Sequence, residues 1–207
     1  MKRKVNINLG SGPDGMEGWI NFDWGWLPLL SKFPLILTIL VRLGIVAKSY
    51  LRKWPKIWLY DLRKGIPLQS GGVDWIYHSN FMEHLEKYEA EKFLKECWRV
   101  LRIGGKMRLV VPDLDKLVGR YKKWENADIF CREFYGYDKD KNIGIKSAVI
   151  RGHQWMYNQK SMVDLLRKVG FTKIGLSQFA KSKMPDVAKL DLPIHRDLGL
   201  YLEVEKG

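Results

Sequence analysis

The stretch Val5 to Asp23, VNINLGSGPDGMEGWINFD, constrains this chain more than any other. Val5, Ile7 and Leu9 alternate as in a strand, and glycines then crowd the turn at Gly10, Gly12, Gly15 and Gly18. A second apolar run, Trp19 to Phe22, ends on an acid, Asp23. Strand, glycine turn, strand, carboxylate is how an open α/β sheet builds a nucleoside site at the carboxyl ends of its strands. Glycine lets the backbone approach a ligand, and a carboxylate accepts hydrogen bonds from both ribose hydroxyls. Gly10, Gly12 and Gly15 also fit G-x-G-x-x-G, but the dinucleotide version needs a helix opening from the turn and an acid roughly 20 residues on. Pro13, Gly15 and Gly18 break up such a helix, and Asp23 arrives too soon, so a nicotinamide-dinucleotide site is disfavoured. The competing reading is an ordinary loop of turn residues.

At 207 residues the chain fits one domain, 1–207, large enough to bury a sizeable core. Its two cysteines, Cys97 and Cys131, are too few for a disulfide framework and lack metal-ligand spacing, so a reducing, cytoplasmic setting is expected. The start, MKRKVNINLGSG, is basic but lacks the apolar run of a secretory leader. The formal net charge of +13 favours an anionic partner: nucleic acid, an acidic membrane surface or a phosphorylated substrate. Charge alone does not choose among these, and it also serves solubility.

Residues 24–55 have a chemistry of their own. Phe33 to Ala47, FPLILTILVRLGIVA, is almost wholly apolar, with Pro34 suited to a first helical turn. Arg42 interrupts the run, which falls short of the ~20 residues that span a bilayer. Lys32, Lys48, Arg52, Lys53 and Lys56 surround it. Three uses fit an insertion of this kind: a helix lying on an anionic membrane surface, a lid over an amphiphilic substrate, or a helix packed on the core or a dimer partner.

Lys56 to Tyr60 reads as a third strand ending on Asp61, and Val73 to Tyr77 as a fourth, buried one. Ala90, Phe93, Leu94, Cys97, Trp98 and Leu101 recur with helical spacing, predicting a helix over 88–101 that stops at Gly104-Gly105. Lys106 to Val111 follows as a fifth strand, and Leu114 to Trp124 as a helix. The fold of 125–152 stays open at this point. Ser161 and Asp164 fit a capping box for a helix ending at Gly170. Phe171 to Phe179 and Leu198 to Val204 read as two last strands, with no convincing helix between them. The expectation is an α/β fold: a doubly wound, mostly parallel, seven-stranded sheet with an antiparallel pair at one edge.

Taken in order, NLGSG, GWINFD, YDLRKGIPL, DWIYHSNFMEHL, FLKECWRVLRIGGKMRLVVPDL, HQWMY and LYLEVEK resemble the Rossmann-like class I S-adenosylmethionine-dependent methyltransferases. The nearest group is the methyltransferase type 11 kind often found with polysaccharide and cell-envelope genes. The resemblance covers nearly the whole chain, and E-H-L after strand four together with R-V-L-x-x-G-G before strand five is its most specific part. It implies S-adenosylmethionine as cofactor, with Gly10, Ser11 and Gly12 under the methionine part and Asp23 on the ribose hydroxyls. By the same resemblance Asp61 and the Leu62 backbone meet the adenine edge, while His78, Ser79 and Asn80 stand between cofactor and acceptor. The chain departs from the wider pattern at Asn8, where many members carry an acid, and at Asp14, which replaces the third glycine of G-x-G-x-G.

A sulfonium methyl is already a strong electrophile, so the protein needs mainly to align the acceptor and, for a hydroxyl, to remove its proton. Histidine suits the base role, and His153 and His84 are the candidate catalytic residues, with Glu83 as a substitute. The Asn/Asp-Pro-Pro-aromatic motif of exocyclic-amine methylation is absent where YHSNF stands, and neither cysteine follows a proline. No acid cluster suited to Mg²⁺ is visible, so no metal site is expected. The expected reaction is metal-independent methylation of a hydroxyl, carboxyl or amine on a small-molecule, glycan or lipid-linked acceptor, by family analogy. The rivals are an RNA methyltransferase, which lacks a recognisable aromatic-basic RNA-binding appendage, and a non-catalytic cofactor-binding or interaction protein. A nicotinamide oxidoreductase comes last.

Overall fold

The computed structural model describes residues 4–136 and 151–207. Part of the 125–152 stretch left open above therefore lies outside the described residues. Strands β1 (Asn6–Leu9), β2 (Ile20–Asp23), β3 (Ile57–Leu59), β4 (Val73–Ser79), β5 (Leu101–Pro112), β6 (Lys173–Leu176) and β7 (Gly199–Glu205) form one sheet in the order β3-β2-β1-β4-β5-β7-β6. β1 to β5 run parallel, and β7 runs against both β5 and β6. This is the expected doubly wound sheet with its antiparallel edge pair. The last two strands are joined by a long connection containing the four-residue helix α7 (Val187–Leu190), which the sequence reading did not anticipate.

The helices follow their apolar faces. α3 (Lys87–Val100) buries Ala90, Phe93, Leu94, Cys97 and Val100 against the sheet, with a capping box between Glu86 and Glu89. It ends before the expected Gly104-Gly105 stop because Leu101 is already extended and pairs with Val73. α4 (Leu114–Trp124) has the predicted bounds, and α5 (Ala127–Tyr135) follows it. α6 (Gln159–Val169) is capped by Asn158 and Ser161 rather than by Ser161 and Asp164. Asn158 is the residue with extended backbone that accepts from the Ser161 N–H, whereas Asp164 pairs with Lys160 on the exposed side.

Between β2 and β3 lie α1 (Trp26–Leu30) and α2 (Pro34–Arg42), the latter beginning on its proline. Of α2 only Leu37 is buried, so the apolar run does not serve the main core. Among the described residues no helix is long and apolar enough to cross a membrane.

At the centre of β5, Arg108 is fully buried. It donates to Asp191 through Nε (3.1 Å) and Nη2 (2.5 Å), to Glu203 and Ser177 through Nη1 (2.7 and 2.8 Å), and to the Gln178 carbonyl (2.8 Å). Tyr77 from β4 also donates to Asp191 and to the Leu190 carbonyl. This network fastens the β6–β7 connection to the middle of the sheet.

Candidate active site

In the strand order the chain leaves β1 toward β2 on one side, and β4 lies on the other. That reversal opens a crevice at the carboxyl ends of the strands. A cavity of about 490 Å³ occupies it, a size suited to a cofactor-sized molecule. Four strand ends contribute to its wall: Gly10 and Gly12 after β1, Asp23 closing β2, Asp61 and Leu62 after β3, and Asn80 and Phe81 after β4.

The glycine turn is held by Asp23. Its two carboxylate oxygens accept the Gly12 N–H (2.8 Å) and the Trp24 N–H (2.7 Å). Gly10 has φ +68°, and the Phe81 ring stands 2.5 Å from where a Cβ would be, so only glycine lets the turn pass beneath that ring. Gly12 has φ +52° with open space where its Cβ would be. Backbone, open space and carboxylate thus meet at one place, which fits a ribose and the chain attached to it.

Burial pushes the Asp23 carboxyl up to about 6, against the pull of the Trp24 and Gly12 N–H groups. A carboxyl raised above its unfolded value favours folding when protonated, and that contribution is lost as pH rises through 6. Relative to Asp23→Asn, the wild-type protein without ligand should lose about 1 kcal/mol of stability between pH 5 and pH 7. Denaturant unfolding of both proteins across that range checks this; parallel curves would mean that Asp23 ionises freely.

Asp61 is differently placed. Its carboxylate caps a short 3₁₀ turn (Leu62–Lys64) and meets Arg63 in a forked pair at 2.9 and 2.8 Å, and these bonds, led by the Arg63 side chain, hold its pKa below the usual value. Ser11 and Ser79 do not line the cavity; the Ser79 hydroxyl donates to the Asn80 side chain at 3.1 Å. His78 does not line it either. It is wholly buried in β4 against the edge of Phe93, and burial lowers its pKa to about 3, so it is a neutral core residue at neutral pH.

His84 reaches the wall and His153 stands behind it, the two rings 5.1 Å apart. Gln154 and Trp155 donate their N–H groups to the Glu83 carbonyl (2.7 and 3.2 Å), which brings His153 beside the residues after β4. Burial lowers both histidines: His84 against the pull of the Arg151 and Gly152 carbonyls, and His153 to about 4, with His84 adding to the shift. Glu83, close to both, is completely buried, and burial raises its carboxyl to about 8.

Several wall residues escaped the sequence reading. Pro13, Arg63, Phe81, Leu85 and Arg151 are five, and Trp24, Gly25, Trp26, Leu27, Pro28, Tyr50 and Trp54 from the insertion are the others. The insertion's apolar composition was the available signal, but it did not say which way these side chains face.

Residues 45–109 match a family model described as a methyltransferase domain. No curated protein matches the sequence. Among solved structures, the chain resembles an S-adenosylmethionine-dependent methyltransferase of Thermotoga maritima described as a possible histamine N-methyltransferase. The identity is 16% and the TM-score 0.54, over 100% of this chain and 84% of the other. A Pyrococcus horikoshii protein is 18% identical with TM-score 0.56, over 100% and 84% of the two chains. A methyltransferase of Archaeoglobus fulgidus is 12% identical with TM-score 0.53, over 99% and 87%. At these identities the likeness establishes the fold.

Proposed function

We propose that this chain, a class I S-adenosylmethionine-dependent methyltransferase by its fold and by the domain matched over residues 45–109, methylates an amphiphilic acceptor, a glycan or lipid-linked intermediate met at an anionic membrane surface. When bound, the cofactor supplies an electrophilic methyl group. Gly10 and Gly12 would give it backbone room, and Asp23 would hold its ribose. Asp61 with Leu62 would border the base, and Asn80 would face the acceptor side. The Glu83, His84 and His153 cluster adjoins that side and is where a hydroxyl acceptor would lose its proton.

The observation that carries the acceptor class is the two-sidedness of residues 24–55. Trp24 and Trp26 line the cavity, yet both are more than half exposed. Farther along the same insertion Leu35 is 80% exposed and Leu43 67%, with Phe33, Ile36 and Ile39 also uncovered. An apolar patch of this extent is unusual on a soluble protein's surface. Lys32, Arg42, Lys48 and Lys53 of the same insertion are exposed too, the charge that anionic headgroups attract.

Flotation with liposomes tests the reading. The protein should float with vesicles containing anionic lipid and much less with purely zwitterionic ones. Leu35→Glu with Ile39→Glu should weaken binding at least tenfold, since each side chain withdrawn from lipid forfeits about 1.5–3 kcal/mol. Both positions are exposed, so the fold should be kept. Absence of association with either vesicle, or unchanged binding by the double variant, would remove the membrane from the proposal.

A further inference from the structure

We infer that Glu83, His84 and His153 form a binding site for a divalent first-row transition metal. One donor atom from each side chain lies within 4.8 Å of those of the other two. Glu83 is 0% exposed, and neither of its carboxyl oxygens makes a well-formed hydrogen bond, the Asn80 side chain offering it only partial compensation. A buried carboxyl left in that condition is costly, and a cation beside it would remove the cost.

The imidazoles are prepared in a complementary way. Nδ1 of His84 lies 2.7 Å from the Arg151 carbonyl oxygen, and Nδ1 of His153 lies 3.0 Å from that of Phe134. A carbonyl oxygen only accepts, so each Nδ1 carries the proton and each Nε2 keeps its lone pair. Ligating histidines are commonly fixed in this manner by the groups behind them. Arg151, on the same cavity wall, pairs with Glu89 at 2.9 Å.

Two nitrogens and one carboxylate suit zinc, cobalt or nickel better than Mg²⁺, which prefers an all-oxygen shell. Metal–ligand bonds of ~2.1 Å set tetrahedral donors about 3.4 Å apart, so the three side chains would draw together on binding. Because His84 is itself a wall residue, an open coordination position would be in reach of an acceptor oxygen in the cavity. The metal site stands on these residues alone, whatever the acceptor proves to be, and a bound metal would take the place of the direct base role proposed for them above.

Untagged protein, stripped with a chelator and dialysed, should bind one Co²⁺ per chain by calorimetry and develop a visible d–d absorption band. Zn²⁺ should displace the cobalt. Glu83→Gln, which keeps the side-chain volume, and His153→Ala should each lower Co²⁺ affinity at least tenfold while circular dichroism and melting show a folded protein. Titration of the same samples with S-adenosylhomocysteine reports the cofactor site separately, so failure of one site is distinguishable from failure of the other. No stoichiometric Co²⁺ or Zn²⁺ binding by the wild-type protein, or equal binding by both folded variants, would overturn the inference.

Discussion

Asp191→Ala is expected to destabilise the protein by about 3–5 kcal/mol, the cost of breaking a buried ion pair from one side. The Arg108 guanidinium is wholly buried, and Asp191 meets it through two hydrogen bonds. Without that carboxylate, the charge in the middle of the sheet keeps, among the described residues, only Glu203 as a charged partner, and the Glu203 side chain is 27% exposed. The same change removes the acceptor of Ala180 N–H and one acceptor of Tyr77. Glu203→Gln should cost much less, because its carboxylate is partly solvated and the amide oxygen still accepts. Urea unfolding of the two variants checks the ordering; a loss under about 1 kcal/mol for Asp191→Ala would mean that water reaches Arg108.

Gly10→Ala is expected to cost more than the roughly 1 kcal/mol of a left-handed alanine, and to lower cofactor affinity at least tenfold. Two effects coincide at this residue. The backbone has φ +68°, and the new methyl would stand 2.5 Å from Phe81, so either the ring or the turn must move. Both belong to the cavity wall. Gly12→Ala separates the causes, because its φ of +52° carries the conformational cost without a neighbour within 4 Å. The melting temperature should fall further for Gly10→Ala than for Gly12→Ala, and equal shifts would show that Phe81 yields freely.

The parts of this account legible in the sequence are those set by local periodicity. α3 and the α4 boundaries follow from apolar spacing, and the acids at the ends of β2 and the third strand mark the carboxyl edge of the sheet. His78 shows where such reading stops. It lies in register with Leu9 on one side and Leu109 on the other, in a strand buried among neighbours, so no alternation separates a ligand-facing residue from a core one. The meeting of His84 with His153 depends on Gln154 and Trp155 docking on the Glu83 carbonyl, a pairing across about seventy positions that no local pattern carries. That is also why a search for acid clusters missed this group. The insertion is the third case: composition gave an apolar helix, while only the fold shows that Leu35 and Ile39 face outward and Leu37 inward. Arg108 passed unnoticed within a strand because its partners Asp191 and Glu203 come from the far end of the chain.

If the crevice between β1 and β4 takes an adenosine whose ribose rests on Asp23, the free enzyme should bind the demethylated cofactor. Calorimetric titration with S-adenosylhomocysteine tests it most directly, with wild-type protein and the folded Asp23→Ala variant side by side. One molecule should bind per chain, weakened by about 1–3 kcal/mol in the variant through lost hydrogen bonds. No binding by the wild-type protein, or equal affinity in the two, would contradict it.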